Sequence, residues 1–390
     1  MTRPCFPRLM SLLAAVVLAG CAHASLPSAR PTQVDVLFVG GAYTSDGTRM
    51  TGQAHVLRLA PARPIYRTPL VFIPGQGQTI ANFLGTPDGR EGWAMQFVRQ
   101  GFVVYLMDQP GRGASGYDAE VYGPSSRQGP AVLEQRFTAI SDFEPTPGQA
   151  YGWPQAKRQT QWPGSGHAGD PAFDQFFASQ VEYASGVVSA DLVARAGAAL
   201  LDRIGPAVVV THSQAGAFGW GVGELRPDLV RGIVAIEPSG PPFASALPPW
   251  GDGSPGQVSR PYGLTTTPLV YDPPLAEGEE LAREWVASSD PELSGCWRQA
   301  GPGRRLANLS KFPVLVLTAE ASYHAGYDHC TAAYLNQAGV RTDFVRLADW
   351  GLHGNGHMIM LERNNTEIGD RLGRWLIDWR RSDGEAVVLR

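Results

Sequence analysis

The stretch PAVVVTHSQAGAFGW, Pro206–Trp220, decides how this chain folds. Four apolar residues lead towards Ser213, and small residues follow it. This pattern predicts a buried strand, a tight turn at Ser213 and a helix that passes close to the strand. Such a turn lifts a serine hydroxyl clear of a sheet, where a base can activate it as a nucleophile. The stretch therefore favours a nucleophilic Ser213 over a serine that only caps the helix.

Apolar runs and helical segments alternate on both sides of this stretch. Two strands are predicted within Val34–Leu59, and further strands in the runs TPLVFIP, FVVYLMD, LVRGIVAIE, FPVLVLTAE and RTDFVRLAD. Helices are predicted in GREGWAMQFVRQG, over Phe176–Gly205, after Ser213 and in NNTEIGDRLGRWLIDWR. The alternation is typical of an α/β protein with a mostly parallel central sheet and helices on both faces. We expect one domain over residues 34–390.

Two segments, about 117–177 and 241–310, interrupt this alternation. Both are rich in Gly and Pro and show little periodicity. Irregular segments of that length inside a domain are usually lids or binding insertions. We expect them to supply Trp153, Trp162 or Trp250 to a partly apolar pocket. Ordinary core packing is the alternative interpretation of these tryptophans.

The beginning of the chain resembles an export signal. Arg3 and Arg8 precede the short apolar stretch Leu9–Gly20, and a polar linker follows over residues 25–33. LAGC, ending at Cys21, resembles a bacterial lipobox, and AHA (residues 22–24) is an A-x-A cleavage site. Residues 1–24 therefore predict an exported protein. It is either a periplasmic or outer-membrane lipoprotein attached to the membrane through a lipid on Cys21, or a soluble secreted protein.

Composition and cysteine count narrow the possible functions. The 390 residues are 43% hydrophobic and carry a net charge of −4 with no basic tract, so nucleic-acid binding is not expected. In an oxidising compartment Cys296 and Cys330 are expected to form a disulfide, with two free buried thiols as the alternative. The acidic and histidine residues show no ligand spacing, and we expect neither a metal nor a cofactor.

A serine nucleophile needs a histidine base and a carboxylate that orients the base. His357 lies in the loop HGNGHMIM between the last strand and the last helix, the position that favours it over the nearby His353. The other histidines considered are His212, His324 and His329.

Two glutamates compete for the role of the acid. Glu237 ends the strand GIVAIEP, and Glu320 ends the strand VLVLTAE. Asp328 is a weaker third candidate. Both glutamates would lie at the carboxyl edge of the sheet, where sites of such folds collect, so charge pattern alone leaves the choice open.

The tetrahedral oxyanion that forms when a serine attacks a carbonyl needs two preorganised N–H donors. The amide of Gln214, directly after the nucleophile, is the first expected donor. The amide of Gln76 in the loop PGQGQT is the second, with glycines on both sides to allow close approach. The loop lacks the Lys and Ser/Thr of a phosphate-binding P-loop, so that alternative is rejected.

Taken together, these motifs resemble those of the α/β-hydrolases. FIPGQGQT is similar to their oxyanion loop, with Pro74 in place of the usual histidine, and DQPGRGAS (Asp108–Ser115) is similar to their D-x-x-G-x-G-x-S loop. THSQA resembles the nucleophile turn, and GNGHM resembles the histidine loop. The resemblance extends over about Val34–Trp379 and implies the α/β-hydrolase fold, with the order serine, acid, histidine.

More narrowly, the chain resembles the secreted bacterial esterases of the esterase 713-like branch. HSQ, AIEPSG and GNGHMIMLERNN match features of that branch. The resemblance implies Ser213 as nucleophile, His357 as base and Glu237 as acid, whereas the wider family would select Glu320. The adjacent cysteines of the branch's oxyanion loop are replaced here by Gln76 and Gly77.

The expected function is that of an exported serine carboxylic-ester hydrolase that forms an acyl-enzyme with a small-molecule ester. An amidase or acyltransferase with the same triad is one alternative. A non-catalytic envelope binding protein built on the same fold is the other.

Overall fold

A central sheet of eight strands places the turn at Ser213 near the middle of one edge. A computed structural model describes residues 31–144, 151–244 and 258–382. In chain order its strands are β1 (Pro31–Tyr43), β2 (Met50–Pro61), β3 (Leu70–Ile73), β4 (Val104–Met107), β5 (Ala207–His212), β6 (Val230–Ile236), β7 (Tyr271–Asp272), β8 (Arg283–Val286), β9 (Cys296–Gln299), β10 (Arg305–Leu306), β11 (Val314–Thr318) and β12 (Thr342–Arg346).

The strand order confirms a mostly parallel sheet. The order is β1-β2-β4-β3-β5-β6-β11-β12. β2 pairs antiparallel with β1 and β4, and every later pair is parallel. The carboxyl ends of β3, β5, β6 and β11 therefore meet at one edge, and the loops that follow them can build a common site.

Nine α-helices are assigned within the described residues. They are α1 (Ala81–Leu84), α2 (Trp93–Arg99), α3 (Ala119–Tyr122), α4 (Pro130–Leu133), α5 (Pro171–Ala178), α6 (Gly186–Ile204), α7 (Gln214–Leu225), α8 (Asp328–Gln337) and α9 (Asn365–Ser382). A π-helical turn, Glu134–Thr138, continues α4. Short 3₁₀ turns cover Gly113–Ser115, Ile140–Asp142, Pro154–Arg158, Leu309–Lys311 and Leu347–Trp350.

The predicted helices on both faces of the sheet are confirmed, and they explain why β5 is apolar throughout. Val208 and Val210 pack into the layer shared with α2 and α9. Val209 packs into the opposite layer, shared with α6, α7 and α8. Because successive side chains of a strand point to opposite faces, a strand buried on both faces needs a continuous apolar run.

The segment predicted as the first insertion lies over the carboxyl edge of the sheet. The indole N–H of Trp153 donates to the carbonyl of Ala321 at 2.8 Å, and the Thr160 N–H donates to the carbonyl of Gly354 at 2.9 Å. Trp153 and Trp162 are buried within the core, which matches the alternative interpretation of these residues.

The second predicted insertion contains two small antiparallel pairs, β7 with β10 and β8 with β9. A disulfide between Cys296 and Cys330 joins β9 to α8. Trp250, Cys21 and the export signal lie outside the described residues. Within the described part of the chain, no helix combines the length and the apolar character needed to cross a bilayer.

Candidate active site

Ser213 occupies the sharp turn between β5 and α7. Its backbone has φ 56° and ψ −122°, a region that non-glycine residues rarely adopt. The Ser213 N–H donates to the carbonyl of Ile236 at 3.0 Å, and its own carbonyl accepts the N–H groups of Gly216 and Ser239 at 2.9 Å. These bonds hold a strained residue that is only half-buried, as is common at functional sites.

The loops around the turn approach one another so closely that some positions accommodate only glycine. A Cβ atom added at Gly216 would lie 2.5 Å from Cα of Pro238. One added at Gly75 would lie 2.9 Å from Cβ of Ser213. The loops after β3, β5 and β6 thus pack backbone against backbone around Ser213.

His357 is completely buried at this edge, in the loop before α9. Its Nδ1 hydrogen-bonds to Oε2 of Glu237. Its ring stacks on Phe137, with the centroids 5.1 Å apart. With the Nδ1 proton donated to the carboxylate, Nε2 is left as the proton acceptor.

Glu237 is oriented by three donors. Besides His357, it accepts the Ala319 N–H on Oε1 at 2.8 Å and the Ser322 hydroxyl on Oε2 at 2.7 Å. The backbone of Glu237 also has a positive φ, 46°. The carboxylate is therefore fixed by the loop after β11 and cannot swing away from the imidazole ring.

Burial shifts the pKa values of both His357 and Glu237. It lowers the pKa of His357, and the neighbouring His212 and His324 lower it further. Burial also raises the pKa of Glu237, with the charge of Asp328 adding to the effect. The imidazole is consequently neutral at pH 7 and able to accept a proton.

Tyr323 packs against His357, with the ring centroids 4.9 Å apart. Its hydroxyl lies 3.4 Å from Nε2 of His357. Within the described residues no direct hydrogen bond joins Ser213 to His357. Catalytic hydrogen bonds are often formed only when substrate is bound. Tyr323 was not singled out from the sequence, although it lies in the run TAEASYH that follows β11.

A second buried acid–imidazole pair lies behind His357. Nδ1 of His324 is 2.9 Å from Oδ1 of Asp328, and its Nε2 is 3.0 Å from the Tyr327 hydroxyl. The Thr318 hydroxyl donates to Oδ2 of Asp328 at 2.7 Å. The His324 and His357 rings stack with centroids 5.0 Å apart. The rival base His324 and the weaker acid Asp328 thus bind each other and support the His357 ring.

The alternative acid Glu320 points to a different histidine. Its Oε2 lies 3.2 Å from Nδ1 of His353 and accepts the Gly354 N–H at 2.9 Å. The His353 side chain is 63% exposed. The carboxylate that contacts His357 is therefore that of Glu237, and the two rival residues form a separate surface pair.

The two expected oxyanion donors belong to adjoining loops. Gln214 is the first residue of α7, so its N–H has no partner within the helix. Gln76 is half-buried in the loop after β3. Arg112 connects the loops, since its guanidinium donates to the carbonyl of Gly75 at 2.7 Å and to Oε1 of Gln214 at 2.6 Å.

Arg112 is a functional residue that sequence reasoning missed. It lies in the loop DQPGRGAS, which was singled out for its D-x-x-G-x-G-x-S pattern and not for the arginine. The side chain is buried, and burial lowers its pKa to about 10, so it still carries its charge at pH 7. It holds the oxyanion loop against the nucleophile turn.

Buried hydrogen bonds hold the loop that carries His357. The Glu362 carboxylate accepts the side-chain amide of Asn355 and the N–H of Gly356, both at 2.7 Å. Asn355 and Asn364 exchange two side-chain hydrogen bonds. Burial raises the pKa of Glu362 to about 7. These contacts explain why the polar residues of GNGHMIMLERNN occur in a buried segment.

Two clusters of metal-ligand type occur in the described chain: Cys296, His329 and Cys330, and Glu237, His324 and His357. The sulfur atoms of the first are joined in the disulfide, so no thiolate is available. In the second, both Nδ1 atoms are engaged by carboxylates. A metal ion that used either Nδ1 atom would have to displace the hydrogen bond made there.

Comparisons with known proteins agree with this fold. The model of the alpha/beta hydrolase family matches residues 70–370. A protein of Fungal sp. (strain ATCC 74256) named "Probable secreted lipase phiG" is 40% identical over 374 residues, which cover 94% of this chain and 97% of that protein. The structure of a novel bacterial esterase is 21% identical, with a TM-score of 0.58, covering 89% of this chain and 96% of that one.

Proposed function

Because this chain belongs to the alpha/beta hydrolase family, we propose that it is an exported serine enzyme that cleaves carboxylic esters with Ser213, His357 and Glu237. The chain is a hydrolase of ester bonds. The observation that carries the proposed mechanism is the contact of Glu237 with His357 beside the strained turn of Ser213.

In the first half of the reaction, Oγ of Ser213 attacks the ester carbonyl and Nε2 of His357 takes the hydroxyl proton. The amides of Gln76 and Gln214 stabilise the negative oxygen that forms. When the ester C–O bond breaks, His357 returns the proton to the departing alcohol, and the acyl group stays on Ser213.

In the second half, a water molecule attacks the acyl group and gives its proton to His357. The acyl–Oγ bond then breaks, the proton returns to Ser213 and a carboxylic acid is released. Glu237 holds the imidazole ring and stabilises its positive charge in both halves. An amidase or acyltransferase would share the first half, so the choice of leaving group and acceptor separates these alternatives.

Export is the second part of the proposal. It is supported by the pattern of residues 1–24 and by the relative named as a secreted lipase. Lipidation at Cys21 would anchor the protein to a membrane, and cleavage after residue 24 would release it. Mass determination of the mature amino terminus distinguishes the two forms, and an uncleaved terminus contradicts both.

The experiment that tests the catalytic proposal is Ser213→Ala with p-nitrophenyl butyrate as substrate. We expect kcat to fall by about 10⁶-fold with an unchanged thermal midpoint, because the nucleophile is lost and the fold is not. Ser45→Ala, at an exposed serine, is the matched control. Retained turnover in Ser213→Ala, or a serine-reactive phosphonate attached elsewhere, would contradict the assignment.

A further inference from the structure

The wall of the site next to His357 carries an arginine that the reaction does not use. Arg136 lies in the π-helical turn Glu134–Thr138, next to Phe137, whose ring stacks on His357. π-helical turns are rare and are frequent at functional sites. The Arg136 guanidinium lies over the Tyr323 ring, 4.4 Å from its centroid. The Tyr323 hydroxyl in turn contacts His357, so the guanidinium is one side chain away from the reacting groups.

The Arg136 guanidinium donates no hydrogen bond to any residue in the described part of the chain. The nearby carboxylates already have other partners. Glu237 is bound by His357, Asp328 by His324, and Glu134 accepts the Ala168 N–H. The contacts of Arg136 are made with the faces of aromatic rings. Such stacking leaves the in-plane N–H groups of a guanidinium free to donate.

The charge of Arg136 acts on the catalytic groups. Burial is the main cause that lowers the pKa of His357 and of His324, and the charge of Arg136 lowers both further; it also opposes the rise that burial causes in the pKa of Tyr323. The side chain is half-buried, so its charge is screened less than that of a fully exposed arginine. A partly desolvated guanidinium with free donors is suited to bind a carboxylate in a bidentate way.

We infer that Arg136 binds a carboxylate of the substrate, so that the preferred substrates are esters that carry a negative charge close to the scissile bond. This inference rests on the proposed function, since it concerns the same site. The carboxylate belongs either to the acyl part or to the alcohol part of the ester. Arg112 offers no equivalent group because its guanidinium already binds Gly75 and Gln214.

The test compares two matched pairs of esters. Mono-4-nitrophenyl adipate against 4-nitrophenyl hexanoate places the charge in the acyl part. 4-Butanoyloxybenzoate against phenyl butanoate places it in the alcohol part. The ratio of kcat/KM within each pair is compared between proteins, so that differences in intrinsic reactivity cancel.

For Arg136→Gln we expect the charged-to-neutral ratio to fall by about tenfold to a hundredfold in one pair, the loss typical of a charge-assisted hydrogen bond. Arg136→Lys should retain part of the ratio. Arg127→Gln is the control, because Arg127 is exposed on the same segment and stacks on Phe177 at 5.9 Å. We expect it to leave both ratios unchanged.

Unchanged ratios in Arg136→Gln would overturn the inference while leaving the proposed function intact. If the native protein cleaved none of the four esters, the inference and the proposed function would both be wrong. Should Arg136→Gln fail to fold, inhibition of the native enzyme provides the test. Adipate should then inhibit at least about tenfold more strongly than hexanoate, and equal inhibition would overturn the inference.

Discussion

At the level of single residues, the choice between two glutamates depends on one loop. Glu237 and Glu320 both follow parallel strands, so the sequence pattern places both at the same edge. The loop after β11 supplies the Ala319 and Ser322 donors that hold Glu237 against His357. Glu320 instead accepts from His353 and Gly354.

We predict that Glu237→Gln lowers kcat/KM for p-nitrophenyl butyrate by about 10³–10⁴-fold, because an amide favours the wrong imidazole tautomer and cannot stabilise the imidazolium. Glu320→Gln should lower it by less than about tenfold, since Glu320 contacts the exposed His353 rather than His357, and such a surface contact is worth about 1 kcal/mol or less. Steady-state kinetics on both variants decide the matter. The opposite ranking would transfer the acid role to Glu320.

Some residues of the candidate site could be predicted from the sequence and others could not. Ser213, Glu237 and His357 each follow a strand, so their convergence could be predicted from strand order. Tyr323 and Arg136 reach the site through loop geometry and through an irregular segment without periodicity. No pattern of residue types predicts where such side chains point. Arg112 could have been noticed as a charged residue within a glycine-rich loop.

At the level of elements, α7 crosses the end of β6 at a distance that only glycine allows. Gly216 faces Pro238, and the atoms that would obstruct a side chain include backbone. The run of small residues after Ser213 predicted this close passage. The short helices of 117–177 were not predicted because Gly and Pro obscure any helical spacing there.

We predict that Gly216→Ala lowers the free energy of unfolding by about 1–3 kcal/mol, the usual range for overpacking, although alanine alone would favour the helix by about 1 kcal/mol. Activity should fall as well, because α7 is pushed away from the Glu237 loop. Chemical denaturation and kcat/KM are the measurements. Gly129→Ala, into open space at the N-cap of α4, is the control and should lower the free energy of unfolding by less than about 1 kcal/mol and leave kcat/KM unchanged. A more stable Gly216→Ala would refute the packing argument.

At the level of the whole molecule, the disulfide connects the second predicted insertion to the site. Cys330 lies on α8, and the first residue of that helix, Asp328, holds His324 behind His357. The alternating pattern of strands and helices was enough to predict the sheet. The pairing of β7 with β10 and of β8 with β9 could not be predicted, because two- to four-residue strands carry too little pattern.

We predict that Cys296→Ser/Cys330→Ser loses roughly 2–4 kcal/mol of unfolding free energy, as expected for a crosslink over 34 residues. Thermal unfolding measures the loss, and reductant should lower the midpoint of the native protein but not that of the double variant. Non-reducing peptide mapping should detect the linked pair. Two alkylated free thiols in the native protein would contradict this prediction.

The π-helical turn at Glu134–Thr138 has a consequence for how such enzymes diverge. A π turn contains one residue more than an α turn, and each residue rotates a helix by about 100°. The loss of a single codon here would carry Arg136 and Phe137 around the helix axis and away from His357. Such a deletion would therefore remove the proposed carboxylate contact of Arg136 together with the Phe137 ring that stacks on His357.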